Sequence, residues 1–493
     1  MGYILAIDVG TTAVKAILVD IATNEMRGAS ADCTLIQERA AWAEQDADGL
    51  WQAVCTAVRR CLSQTAVRPG EVAGLVISAP WKHVIPLDGD CRPLRRGIIW
   101  MDGRAAVQAK RLEQLLGAPL ENAQGYWSRL LWLKENEPHI WRRARYIAGI
   151  NAYFRYRATG RLCTECSDDF IHSPDPELQA LYDRVLEKTG LAEDRDKFPP
   201  CIRCTDLVGP LTRTGAQELG LAPGTPMFGG FGDLPAVYFG AGCAQPGTAH
   251  IYIGTSSWFG EFLPRRIGGY SAGWFTAGGQ AQGALFALTT GGRAYEWAIH
   301  RFYRAERQRL GEDIYPFLEG EMESVEPGCG GLIVTHWLNG EPAPLSTNAR
   351  GLFFNVTGQH DRRHFLRAML ESICYSHRRS LERYTALHGR GPRRLRVVGG
   401  GACSGVWMQM LADVLQLPVH VPPNPRYVGT VGTCRCALIG LGLKADFSDL
   451  AQENEEQVFA PNPDNRAVYD KMYGVYCRLF PALEPLYDQL NGI

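Results

Sequence analysis

Apolar positions recur along this chain in two spacings. Short runs broken by Gly, Asp or Thr predict strands at Ile4–Ile7, Val14–Val19, Gly74–Ile77, His250–Ile253, Leu332–Thr335 and Leu395–Val398. Other stretches carry the helical period. A helix is expected after Asp361, a good N-cap, with Phe365, Met369, Ile373 and Leu381 on one side. A second carries Val406, Met410, Leu411, Val414 and Leu415 and stops before Pro418. Both stripes read as core-facing. Strands and helices alternating along the whole length predict an α/β architecture.

The segment from Ser173 to Pro226, rich in proline, glycine and acidic residues, reads as the loop-rich end of a first domain. Ala244-Gln245-Pro246-Gly247 punctuates the chain and places a boundary between residues 1–245 and 246–493. After it the pattern restarts. Ile7-Asp8-Val9-Gly10-Thr11-Thr12 runs from a strand into a Gly-Thr-Thr turn, and Ile251-Tyr252-Ile253-Gly254-Thr255-Ser256 does the same about half a chain later. That is where a duplicated, two-lobed protein would repeat itself.

Composition then narrows the function. With 51 Lys and Arg against 52 Asp and Glu in 493 residues, the net charge is -1, so there is no basic excess to support nucleic-acid binding. The 46% apolar and 21% charged content is that of a packed chain. No apolar run approaches the ~20 residues of a membrane-spanning helix, so no membrane partner is expected. The first apolar run stops at Asp8, too short for a secretory core, which gives a cytoplasmic expectation and 15 reduced cysteines. The same expectation leaves the sequon Asn355-Val356-Thr357 unused. Cys163/Cys166 and Cys201/Cys204 are each spaced C-x-x-C, but the gap between the pairs is longer than that of a zinc ribbon, and zinc is not expected.

The two Gly-Thr turns carry the candidate chemistry. Glycine permits close backbone approach to an anion, and successive N–H groups can form an anion-binding nest. The hydroxyls of Thr11, Thr12, Thr255 and Ser256 add donors, and Lys15 adds a charge. Asp8, just before the first turn, suits magnesium, which takes carboxylate, water and phosphate oxygens. One such turn is an ordinary β-turn; a pair of them, with Asp8 and Lys15, points to polyphosphate gripped from both sides of a cleft. The sequence has no P-loop, no dinucleotide fingerprint, no protein-kinase motif set, and neither G-x-S-x-G nor H-E-x-x-H. A third glycine cluster, Gly399-Gly400-Gly401-Ala402, lies between a strand and a helix and would admit adenine or its phosphates. In Met227-Phe228-Gly229-Gly230-Phe231-Gly232-Asp233 an apolar segment opens into glycines and one carboxylate. Asp233 can serve as a base toward a hydroxyl, as a helix cap, or as both.

These blocks together resemble the FGGY carbohydrate kinase family, which phosphorylates sugars and polyols with ATP. The resemblance runs through Asp8–Lys15, Trp100-Met101-Asp102-Gly103-Arg104, Gly230–Asp233, Ile253–Ser256, Gly340-Glu341-Pro342-Ala343-Pro344, and Gly399–Ala402 with Trp407, Gln409 and Asp413, and is strongest to the xylulokinase branch. It implies a two-lobed actin-like, ribonuclease-H-type fold with a cleft, the sugar side in the first domain and the nucleotide side in the second. It implies Asp233 as the catalytic base, and Gly10, Thr11, Thr12, Lys15, Gly254, Thr255, Ser256, Gly292, Gly400, Gly401 and Ala402 around ATP. Mg²⁺ would lie at Asp8 and Asp233, and the sugar at Trp81, Lys82, Asp102, Arg104 and Asp233. D-xylulose leads as substrate, with another polyol or a sugar acid as the alternative, and a homodimer fits the same expectation.

Three departures stand out. Trp81-Lys82 replaces the Met-His pair of xylulokinases and puts a fixed cation where a neutral sugar would meet an imidazole. Arg129 stands where lysine is usual, and Cys403 where a basic residue is common. A non-catalytic ATP-binding switch protein, or a kinase relative turned metabolite sensor, is the competing class. The Trp100/Asp102/Arg104 block argues against the first, and retention of Asp8 and Asp233 against the second.

Overall fold

The computed structural model describes residues 2–39, 41–244, 247–263, 275–277, 281–342, 345–447 and 456–491. The chain forms two compact units. One comprises Met1–Gly240, Phe275–Gln282 and Gly429–Phe447; the other comprises Ala241–Trp274, Gly283–Val428 and Ser448–Ile493. The boundary expected between 245 and 246 lies outside the described residues. Periodicity gave no hint that Gly429–Phe447 returns to the first unit. Two glycines permit it: a Cβ at Gly432 would overlap the Ala236 carbonyl, and one at Gly440 would overlap the Phe228 ring.

The first unit is built on a sheet of β1 (Tyr3–Val9), β2 (Ala13–Asp20), β3 (Met26–Asp32), β4 (Val72–Ser78), β5 (Leu207–Pro210) and β6 (Pro226–Phe228). Their order is β5-β6-β4-β1-β2-β3. β1–β2–β3 is an antiparallel meander, β4 runs parallel to β1 and β6 parallel to β4, and β5 is antiparallel to β6. Helix α1 (Ala47–Thr65), capped by Asp46, which accepts the Gly49 N–H, buries Trp51, Val54 and Val58 against this sheet. A separate apolar cluster gathers around α2 (Tyr126–Asn136) and α3 (Pro176–Thr189), with Trp127, Leu130 and Tyr182 inside it and Trp81 packed on it.

The expectation of a loop-rich Ser173–Pro226 is corrected. The segment holds α3, α4 (Arg213–Leu219) and strands Cys201–Ile202 and β5. The polar and proline residues read as punctuation are helix starts: Asp175 accepts the Leu178 N–H ahead of Pro176, and Thr212 accepts the Gly215 N–H. Helix α5 (Asp233–Gly240) follows β6 across a short glycine turn.

The second unit repeats the plan. Its strands β7 (Thr248–Ile253), β8 (Ser257–Leu263), β9 (Ala281–Leu288), β10 (Arg394–Val398), β11 (Val419–Val421) and β12 (Gln457–Phe459) run in the order β9-β8-β7-β10-β11-β12. The β7–β8 pair is antiparallel, β10 is parallel to β7, β11 is parallel to β10, and β12 is antiparallel to β11. The restart read from the Gly-Thr turns is therefore a repeat of topology. Helices α6 (Gly292–Phe302), α7 (Arg362–His388) and α8 (Gly405–Leu415) cover the sheet. Both predicted stripes lie on α7 and α8. Asp361 caps α7 in a reciprocal box with His364, and α8 ends at Gln416 in the left-handed conformation, just ahead of Pro418. No helix among the described residues is long and apolar enough to cross a membrane.

Candidate active site

In the first unit, Asp8 and Lys15 are cross-strand partners near the turn end of the β1–β2 hairpin, with Lys15 Nζ 3.8 Å from Asp8 Oδ2. Within the turn, the Gly10 N–H donates to the Ala13 carbonyl at 2.8 Å. The nest is thus smaller than the sequence suggests: Thr11 and Thr12 keep N–H groups and hydroxyls without an acceptor among the described residues. The turn is fixed from behind. Gln45 Nε2 donates to the Thr11 carbonyl at 2.9 Å, and the Cys33 N–H donates to the Thr12 carbonyl at 2.9 Å. Gln45 Oε1 also lies 3.2 Å from His83 Nε2, and burial pushes His83 down to about 3, so its ring is neutral.

Asp233 opens α5 at the end of β4, where its N–H donates to the Ala79 carbonyl at 3.1 Å and its Oδ1 accepts the Leu234 N–H at 3.0 Å. Of the two readings of Asp233, the helix-terminus one is seen directly: it is the first residue of the helix. Burial, and then the Asp8 carboxylate, push its pKa up to about 7. The approach depends on Gly230, whose φ is +69° and where a Cβ would overlap the Ile77 carbonyl.

A supporting network here was not anticipated. Ser167 Oγ accepts the Gly232 N–H at 2.9 Å and binds Glu165 Oε2 at 2.5 Å. Asn151 Nδ2 donates to the Ala79 carbonyl at 3.2 Å and lies 3.4 Å from Asp168 Oδ2. Asp168 Oδ1 accepts the Lys82 N–H at 2.8 Å. The only sequence signal was the C-x-x-C spacing that overlaps Glu165–Asp168. The four thiols do not gather into one site: Cys166 and Cys201 meet, with Sγ atoms 3.5 Å apart, Cys204 hydrogen-bonds the Cys436 thiol, and Cys163 is a separate buried thiol. No group of three or more His, Cys, Asp or Glu among the described residues is arranged to hold a metal ion.

The candidate sugar contacts divide in two. Lys82 has φ +63°, and its Nζ lies 4.2 Å from the centre of the Trp81 ring and 5.7 Å from that of Phe170. Asp102 is wholly buried. Its oxygens accept the Arg104 N–H, Nε and Nη2 at 3.0, 2.8 and 2.7 Å and the Ala43 N–H at 2.5 Å. Asp102 therefore holds Arg104, which sits 3.6 Å over Trp42, donates to Glu44 at 2.7 Å and keeps Nη1 unpartnered.

In the second unit, residues far apart in sequence meet at the end of β7. The Gly254 N–H donates to the Ser256 carbonyl at 3.0 Å, so this turn too spends its glycine N–H internally. The Gly292 N–H donates to the Gly254 carbonyl at 2.6 Å, and Gly291 and Arg293 donate to the Thr255 carbonyl at 3.1 and 3.2 Å. Gly399 has φ +96°, with a would-be Cβ 2.5 Å from the Ile253 carbonyl, and Gly401 packs on the Ile253 side chain ahead of Ala402. Gly254–Ser256, Gly292 and Gly400–Ala402 are thus brought to one place. Glu341 of the proline-containing block is buried and accepts the Thr289 N–H at 2.8 Å. Ala343 and Pro344 lie outside the described residues.

This duplicated sheet is the fold of a sugar kinase. It superposes with TM-score 0.83 on the xylulose kinase from Lactobacillus acidophilus, at 24% identity and covering 100% of both chains. Residues 3–240 match the N-terminal domain, and 250–441 the C-terminal domain, of the FGGY family of carbohydrate kinases, and the chain belongs to that family. It is 30% identical over 502 residues to a probable L-xylulose kinase of Pasteurella multocida, covering 99% of this chain and 100% of that one. It is 28% identical over 511 residues to the L-xylulose/3-keto-L-gulonate kinase of Escherichia coli, covering 99% of each. The protein is a carbohydrate kinase, and its family membership makes ATP the phosphoryl donor.

Proposed function

We propose that this kinase transfers the γ-phosphoryl group of ATP to a hydroxyl of a five- or six-carbon ketose or a close relative, with Asp233 as the base. The observation that carries the reading is the grouping of Asp233, Asp8, Lys15 and the Thr11-Thr12 donors in one unit. It joins a proton acceptor to groups suited to phosphate and cation. A carboxylate with a pKa near 7 accepts a hydroxyl proton and releases it to solvent readily near neutral pH. Positioning and charge neutralisation supply most of the rate in such transfers.

The donor set fits magnesium. Asp8 is part-exposed and Asp233 is its electrostatic neighbour, and magnesium takes one or two carboxylates with phosphate and water for the remainder. Asp8 and Asp233 would hold the ion, which neutralises phosphate charge when bound. Lys15 adds a cation beside them, and the N–H and hydroxyl groups of Thr11 and Thr12 orient phosphate oxygens. In the second unit, Gly254–Ser256, Gly292 and Gly400–Ala402 would contact the nucleotide, because they are packed into one group in which Thr255 and Gly400 are exposed and Gly400 has open space at its Cα. The ketose assignment draws on the relatives named for xylulose and for 3-keto-L-gulonate.

The test is Asp233→Ala. Sugar-dependent ADP release should fall by at least about 10³-fold, with nucleotide affinity changed by less than about threefold. Near-normal turnover in this variant would defeat the assignment.

A further inference from the structure

Lys82 and Arg129, neighbouring cations of the first unit, have no carboxylate in contact among the described residues. Lys82 has no carboxylate oxygen within 4 Å of Nζ among the described residues, and its ammonium rests on the Trp81 and Phe170 rings. Arg129 is wholly buried. Its Nε and Nη1 each donate to a carbonyl, of Gly125 and Ile98, at 3.1 Å, and Nη2 has no partner. Two acids lie near Lys82: Glu121 is engaged with the Ser128 N–H and hydroxyl at 2.5 and 2.7 Å, and Asp168 accepts the Lys82 N–H. An aromatic face stabilises an ammonium by about 0.5–2 kcal/mol but satisfies none of its N–H donors. Buried donors without acceptors are costly, and a ligand that supplies an acceptor removes that cost.

The place matters as much as the charge. Lys82 lies three residues beyond Ala79, whose carbonyl anchors Asp233, and Trp81 Cβ packs beside Gly232. The Lys82 backbone is held by Asp168 in the left-handed region, where a lysine is uncommon and the surrounding structure must enforce it. Burial pulls Lys82 down to about 8, so it is mainly charged at neutral pH.

We infer that the acceptor of this kinase is a sugar acid, and that Lys82, with Arg129 behind it, reads its carboxylate. The inference rests on the phosphoryl-transfer reading above and names the substrate class of that same site. A carboxylate supplies acceptors for an ammonium that a neutral ketose would leave without an ionic partner in contact. Specificity then comes from what the site would lose with the wrong ligand.

The experiment compares kcat/KM for ATP-dependent phosphorylation of five- and six-carbon ketoses with their aldonate and ketoaldonate counterparts. The wild type should favour a carboxylate-bearing sugar by at least tenfold. In Lys82→Met the acid-to-neutral ratio of kcat/KM should fall by at least about 10²-fold, mainly through KM, whereas Lys82→Arg should retain most of it. Lys82→Asn, which tolerates the local backbone, guards against a folding artefact and should behave like Lys82→Met. A neutral ketose as best substrate, or a ratio that Lys82→Met leaves unchanged, would overturn the inference. Calorimetry with the sugar acid alone separates the two readings. Binding that requires Lys82, without transfer of phosphate to any sugar, would uphold the ligand class and refute the kinase step; transfer to neutral sugars without binding of any acid would do the reverse.

Discussion

The two halves of this kinase build the same hairpin and load it differently. In the first, the residue two before the turn glycine is Asp8, paired across the ladder with Lys15; in the second, the same place holds Tyr252, paired with Trp258 and stacked on it at 4.1 Å. The strand parallel to each hairpin diverges as well. After β4 come Ala79 and the Trp81-Lys82 pair, whereas after β10 comes Gly399-Gly400-Gly401. One scaffold thus presents charge in one copy and bare backbone in the other. The lesson is that the repeated sheet supplies a common frame, and a few residues at strand ends give its two copies different chemical character, on which the proposed division into reacting groups and nucleotide contacts rests.

The contrast is sharpened by variants at matched positions. Beyond the loss expected of Asp233→Ala, the next largest effect should come from Asp8→Asn, lowering kcat by about 10²-fold or more, because it removes charge at the phosphate end of the site. Tyr252→Phe, its counterpart, should cost at least tenfold less by steady-state kinetics. Equal effects would erase the distinction between the hairpins.

Backbone crossings come next. Gly230→Ala must place a Cβ against the Ile77 carbonyl at φ +69°, and should lower unfolding free energy by about 2–4 kcal/mol in denaturant titrations. Gly399→Ala, facing the Ile253 carbonyl at φ +96°, should cost a similar amount in the second unit.

The smallest effect concerns pH. Burial pushes Glu165 up to about 7, so the folded chain binds its proton more tightly than the unfolded one. Its contribution to stability is therefore full below about pH 4.5 and is lost as pH rises through about 7. Buried His377, pushed down to about 3, has the opposite sign: its contribution is full above about pH 6.5 and fades as pH falls toward 3. Glu165→Gln should flatten the decline of Tm between pH 5 and 8, as read by scanning calorimetry.

Much of the fold was legible because it is local. The strands at Ile4–Ile7, Val14–Val19 and Leu395–Val398 and the helix capped by Asp361 follow from apolar spacing and one polar cap. The site was legible only where glycine and charge sit together, as at Asp8–Lys15 and Gly230–Asp233. Ser167, Asn151 and Asp168 support Asp233 and Lys82 through contacts between distant segments, which no periodicity encodes. The meeting of Gly292 with Gly254 is of the same kind. Family resemblance grouped these residues, and the hydrogen bond between them gives the physical reason. Asp102 was expected against the sugar; its oxygens are spent on Arg104 and Ala43.

The measurement that bears most directly on the central claim is ADP release by the wild-type protein with MgATP, with and without a panel of ketoses, polyols and sugar acids. The account predicts that release rises at least about 10²-fold with the correct sugar and that one phosphorylated sugar appears per ADP. ADP release that is the same with and without every sugar would contradict it.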